Sequence, residues 1–125
     1  MPQYGVIVYS PAPADPLALS PDHLELLDRY PARAKELGGK VLGGSYFSGQ
    51  RGFAFEPSTK ATAIRGDAVR GGPLVESDLV VAAVFVLSAP DLDVAVKIAG
   101  LHPAVRDGGV EVRPLFVPPA DRPNA

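Results

Sequence analysis

Imidazole is the side chain whose ordinary pKa lies nearest neutrality, so the two histidines of this 125-residue sequence, His23 and His102, are its first candidates for chemistry. There is no cysteine, which removes disulfides, thiol nucleophiles and thiolate-ligated metals together. A zinc site would need both histidines and added carboxylates, so a metal is not expected. His23 stands in "SPDHLELLDRY". At helical spacing it shares a stripe about 100° wide with Leu26, Leu27, Tyr30, Ala34 and Leu37, which turns it toward the core one turn after the helix start. The positive helix end there favours the neutral ring that a base needs. A packed histidine bonded to a carbonyl is the plainer alternative. His102 closes "PDLDVAVKIAGLH", in which Leu92, Ala95, Val96 and Ala99 form the expected buried stripe. A histidine in a last helical turn gains about 0.3–1 kcal/mol from the C-terminal dipole, which by itself accounts for His102 as a cap.

The elements that must hold these two residues are legible in outline. "QYGVIVYS" reads as a strand over Gln3 to Tyr9, and the proline-rich "SPAPADPLALSP" as an ordered loop. Ser20 fits a helix N-cap, Pro21 the first helical position and Gly38 the stop, while Pro31 predicts a kink or a split. A second strand is expected over Lys40 to Phe47, then an irregular excursion, then a hairpin turning at Gly66-Asp67. "DLVVAAVFVLS" is apolar on both faces and belongs inside a sheet. A second helix opened by Pro90 and a closing strand, "GVEVRPLF", complete the order βαβ, hairpin, βαβ. That order predicts an α+β, ferredoxin-like βαββαβ sandwich with an inserted hairpin, over residues 1–117, followed by an extended proline-rich tail at 118–125. Helices would cover one sheet face. The other, with Val6, Val8, Val84 and Val86 assigned to it, predicts a homodimer through the open face.

In such a sandwich the start of the first helix and the end of the second lie at one end of the molecule, so His23 and His102 are expected neighbours. The loops that converge there suggest a pocket to which Arg106 and Asp107 bring charge. Ser45, with Tyr46 and Ser48, falls near the end of the second strand, either donating hydrogen bonds into that pocket or simply ending the strand. Net charge is −2, so no basic surface for nucleic acid is offered. The apolar run Leu79 to Leu87 is far short of the roughly 20 residues of a membrane helix, and the amino-terminal segment lacks a basic n-region, so a cytoplasmic protein is expected. The glycine-rich stretches lack the spacing of a phosphate loop.

With these elements in hand, the chain resembles the YCII-related superfamily, and within it the DGPF branch. The resemblance spans about residues 3 to 116 and rests on "SPDHLELLDRY", "PSTKATAIRGD", "GGPLVES", "PDLDVAVKIA" and, most specifically, "HPAVRDGGVEVRPL". It implies a dimeric α+β barrel. It also implies a dyad of a histidine early in the first helix and an aspartate after the second. His23 matches the first, whereas His102 stands where the aspartate would be. "GGPL" at Gly71 to Leu74 replaces the branch's Asp-Gly-Pro-Phe, and Glu76 matches the acidic residue that follows it. The best-defined members act on small cyclic or chlorinated aromatic substrates without a cofactor.

Residues and resemblance together point to a cofactor-independent enzyme of lyase or isomerase type. His23 would be the general acid or base, His102 would orient it or take the second proton, and Arg65, Glu76, Arg106 and Ser45 would bind a small molecule. The alternative is a dimeric protein that binds a small ligand without changing it.

Overall fold

β1 (Gln3–Pro11) alternates buried and half-buried residues, as a strand covered on one face must. The computed structural model describes residues 1–42 and 53–121. The expected second strand therefore runs beyond the described residues after Leu42, and Ser45, Tyr46 and Ser48 lie outside them. After β1 come α1 (Pro21–Glu36), β2 (Lys40–Leu42), β3 (Phe53–Ala54), β4 (Thr62–Arg65), β5 (Ala68–Gly71), β6 (Leu79–Ser88), α2 (Leu92–Ala99) and β7 (Gly109–Pro114). The result is an α+β fold. Its main sheet runs β2-β6-β1-β7, with β3 also pairing β6, and every pairing is antiparallel. β4 and β5 form a separate hairpin whose partners Arg65 and Ala68 flank a two-residue turn at Gly66-Asp67, as the sequence predicts. Gly66 takes φ +60°, the left-handed value that the first position of such a turn requires.

α1 begins as its sequence dictates. The Ser20 hydroxyl accepts from the His23 amide at 3.1 Å, and Pro21 occupies the first turn, where its missing N–H costs nothing. At the other end Gly38 turns left-handed at φ +91°. Pro31 does not split the helix, which is continuous across it; Tyr30 and Ala34, buried on either side, hold both halves against the sheet. Leu37 is a correction to the stripe, since at the C-cap it turns outward.

α2 departs further from expectation. Asp91 rather than Pro90 opens it, its carboxylate accepting from the Val94 amide at 2.9 Å. Leu92 and Val96 are exposed, and the buried stripe is Ala95, Ile98 and Ala99. The helix ends at Ala99, so His102 is outside it.

The core joins Tyr4, Val6, Val41 and Leu87 of the sheet to Tyr30, Ala34, Ala95 and Ile98 of the helices. Register then corrects the face assignment. Val6 pairs with Phe85 and Val8 with Ala83, and both valines are buried on the side of the helices. The helix-free face carries instead Ile7 opposite Val84, Val86 opposite Leu42, and the exposed Phe53 opposite Val84. Val84 and Val86 are thus where the sequence placed them, and Val6 and Val8 are not. Among the described residues no helix is long and apolar enough to cross a membrane.

Where α1 hands over to β2, Gly39 is wedged between elements. A Cβ there would meet the Ile98 side chain and come within 2.9 Å of the Ser88 carbonyl oxygen. Gly39→Ala must therefore part α2 from the sheet and is expected to cost about 1–3 kcal/mol in urea unfolding. Gly71→Ala, where a Cβ meets open space, is expected to stay within about 0.5 kcal/mol of wild type. Equal midpoints for the two variants would refute the wedge.

Candidate functional site

The step from α2 to β7 is governed by a His-Pro pair. Proline disfavours the helical region for the residue before it, and His102 adopts φ −67°, ψ 134°. Pro103 then starts a 3₁₀ turn, Pro103–Arg106, of which His102 is the N-cap. Its Nδ1 accepts from the Ala104 amide at 3.1 Å. This replaces the expected cap at the end of α2: the ring caps the start of the next turn. With Nδ1 accepting, the neutral ring carries its proton on Nε2.

Residues of α1 and β6 pack against the His102 ring. Tyr30 of α1 meets it edge-on at 5.3 Å between centroids, and Phe85 of β6 lies nearly parallel to it at 6.1 Å. Tyr30 and Phe85 also meet edge-on at 5.6 Å. The Tyr30 hydroxyl donates to the Ile98 carbonyl at 2.9 Å, and burial raises its pKa well above the usual phenol value. Among the described residues no buried side-chain nitrogen or oxygen lacks a partner. Only 6% of the His102 surface is exposed, and burial pulls its pKa down to about 4, with the charge of His23 adding to the effect.

His23 is close enough for its charge to be felt at His102. It is half-buried in the first turn of α1. Burial lowers its pKa, the Asp107 carboxylate raises it, the Arg106 guanidinium lowers it and Asp22 raises it. Arg106 and Asp22 form an ion pair at 2.9 Å that ties the 3₁₀ turn to the start of α1. Both side chains are largely exposed, so the pair orients more than it stabilises. Asp107, the largest of the influences that raise the His23 pKa, follows from the sequence only as part of the charged loop after His102.

The other candidates lie elsewhere. Arg65 is exposed beside the Gly66-Asp67 turn, and Glu76 is exposed in the segment between β5 and β6. Neither is among the charges that act on the histidines. Among the described residues no three His, Asp or Glu side chains converge on a metal position. A separate cleft of about 990 Å³ opens at the far end of β1, walled by Tyr9, Phe55, Leu74, Val75, Leu79 and Val81. Neither histidine lines it. Its walls come from segments far apart in sequence, and no periodic signal announces it. Compared with models of known families and with curated proteins, the chain matches none.

The low pKa of His102 links protonation to stability. Between pH 6.5, the ordinary histidine value, and about 4, the unfolded chain binds a proton that the folded chain refuses. This contribution is complete above pH 6.5 and is lost as pH falls toward 4, about 3 kcal/mol in all. His102→Asn retains an oxygen that can accept from Ala104 but does not titrate. The urea midpoint of wild type is therefore expected to fall more steeply between pH 6.5 and 4 than that of the variant. Parallel curves would show that the ring is not held neutral.

Proposed function

We propose that this chain is a cofactor-independent enzyme for a small molecule, with His23 as the general base that removes a proton and the acid that returns it. The observation that carries this reading is the placement of a half-buried imidazole of lowered pKa beside a second, neutral imidazole and the Arg106, Asp107 and Asp22 charges. A ring that is mostly neutral at pH 7 and open to solvent on one side has the form a base needs. His102, whose Nδ1 is committed to Ala104, has only its Nε2–H to offer and would act as a donor to His23 or to substrate. Arg106 is the candidate substrate-binding residue placed beside His23. The reaction class this supports is elimination or isomerisation at an already acidic carbon, where proton removal and return suffice.

Kinship with the YCII-related superfamily and its DGPF branch is part of the same proposal. The strand order β2-β6-β1-β7 with two helices on one face supports a ferredoxin-like sandwich. The apolar residues on the helix-free face support a homodimer that closes two sheets into an α+β barrel. A cytoplasmic setting belongs to the same proposal. The second reading, a dimeric protein that holds a small ligand unchanged, is favoured by one feature: the His102 ring is occupied by capping and aromatic packing rather than free for proton transfer.

The test follows solvent deuterium incorporation and product formation with a panel of small cyclic and chlorinated aromatic compounds. His23→Asn, at a half-exposed position, is expected to keep the unfolding midpoint and to lower turnover 10²- to 10⁴-fold. Retained turnover would remove His23 from the mechanism. NMR titration supplies an independent check of the pairing. Because the charge of His23 holds the His102 pKa down, His23→Asn is expected to raise it, and an unmoved value would uncouple the rings.

A further inference from the structure

The helix-free face and the 990 Å³ cleft are continuous. β1 and β6 shift register between Val8 and Tyr9, after which Tyr9 pairs with Val81 and Pro11 with Leu79. On β1, Tyr9 keeps the alternation of Gly5 and Ile7, so the cleft floor of Tyr9, Val81 and Leu79 belongs to the face away from the helices. Phe55, bonded through its amide to the Ala82 carbonyl at 2.9 Å, flanks the floor on one side. Pro73, Leu74 and Val75 form the other wall. A flat surface such as the sheet of a second copy can lie across the mouth of a cleft walled in this way, but it cannot fill it. A small molecule can, and the volume is at the upper end of the range for ligand pockets.

The polar groups at the cleft are few, and they say what the molecule carries. Glu56 and Lys60 both line it, and their charged atoms stand 3.8 Å apart in a loose, exposed pair. Such a pair contributes little and is readily exchanged. The Ser77 hydroxyl accepts from the Leu79 amide at 3.2 Å and keeps its O–H to donate, and Ser58 also lines the cleft. Lys60 is the one cation among the described lining residues, so it is the group that an anionic end in this mostly apolar cleft would meet.

We propose that this cleft is a second binding site, independent of His23 and His102, for an apolar ring- or chain-bearing molecule with one anionic end, its body against Tyr9, Phe55, Leu79 and Val81 and its charge against Lys60. The binding energy comes from apolar burial, and Lys60 selects the anionic end. The probes are 8-anilinonaphthalene-1-sulfonate, apolar and anionic, and N-phenyl-1-naphthylamine, its uncharged analogue. Both are expected to fluoresce on binding with one site per chain. Val75→Asp, at a position 73% exposed and so harmless to folding, is expected to weaken both at least tenfold. Lys60→Gln is expected to weaken only the anionic probe, several-fold. Ile64→Asp, similarly exposed on the hairpin but outside the cleft, is expected to leave both unchanged, as is His23→Asn, which separates this site from the proposed catalytic one. Failure of both probes to bind, or indifference to Val75→Asp, overturns the site. Equal loss of both probes in Lys60→Gln overturns the anionic selectivity. If Val75→Asp instead halves the sedimenting mass and probe binding is lost with it, the cleft is a contact between copies and the proposal falls.

Discussion

An imidazole buried between two aromatic rings costs free energy unless its polar atoms are satisfied, and the arrangement around His102 is the solution to that constraint. Its Nδ1 is satisfied by the Ala104 amide, and the neighbouring Tyr30 hydroxyl is satisfied by the Ile98 carbonyl. These two hydrogen bonds connect α1 to the end of α2 and fix the start of the turn that follows. Both lie in an otherwise apolar cluster, so losing either partner would strand a polar group where water cannot replace it. The packing of α1 against α2 and the direction in which the chain leaves toward β7 therefore depend on the same small group of side chains.

The charged neighbourhood of His23 is a consequence of that joint. With His102 pinned as N-cap, Arg106 and Asp107 fall at the other end of the same turn, and Arg106 reaches back to Asp22. Gly108 then passes so close to the Tyr9 carbonyl that no Cβ would fit, which locks the turn against β1 as well. Around His23 the charges oppose one another: Asp107 and Asp22 favour the protonated ring and Arg106 disfavours it. Because these groups are exposed, water screens them, and burial prevails in lowering the pKa. A histidine set in this way is responsive to anything that displaces water from its open side.

Much of this was legible in the sequence because helical periodicity is strong. The α1 stripe from His23 to Ala34, the Ser20 cap and the Gly66-Asp67 turn all follow from local rules, and the structure carries them. The role of His102 was not legible. Apolar periodicity reads past Gly100 as though the helix continued, whereas Pro103 as the first residue of a new turn was the signal that it had ended. The face assignment of Val6 and Val8 failed for a different reason. In the run Val6-Ile7-Val8 both faces are apolar, so the strand alone does not say which side meets the helices; pairing with Phe85 and Ala83 decides it. The cleft was illegible because it is assembled from the ends of β1 and β6 and two connecting segments, none of which needs the others to fold locally.

The proline-rich loop between β1 and α1 shows how the two faces are held in one frame. The Ala12 amide bonds the Asp78 carbonyl at 2.9 Å, and the Pro13 carbonyl accepts from the Ser58 amide at 2.8 Å. Asp15 caps the 3₁₀ turn Pro16–Ala18 by accepting from the Leu17 amide at 2.9 Å. Ala14 sits at φ +57°, a left-handed conformation that a residue with a Cβ adopts only when its surroundings impose it. Ser58 borders the cleft, and Ser20, at the end of the same loop, caps the helix that bears His23. Prolines at 11, 13 and 16 lower the entropy this segment loses on ordering. A loop of glycine and serine making the same two backbone bonds would hold the start of α1 less firmly, because more of the bond energy would be spent on ordering the chain. The start of the helix that bears His23 is thus fixed by its Ser20 cap and by a stiff loop bonded to the Asp78 carbonyl and the Ser58 amide.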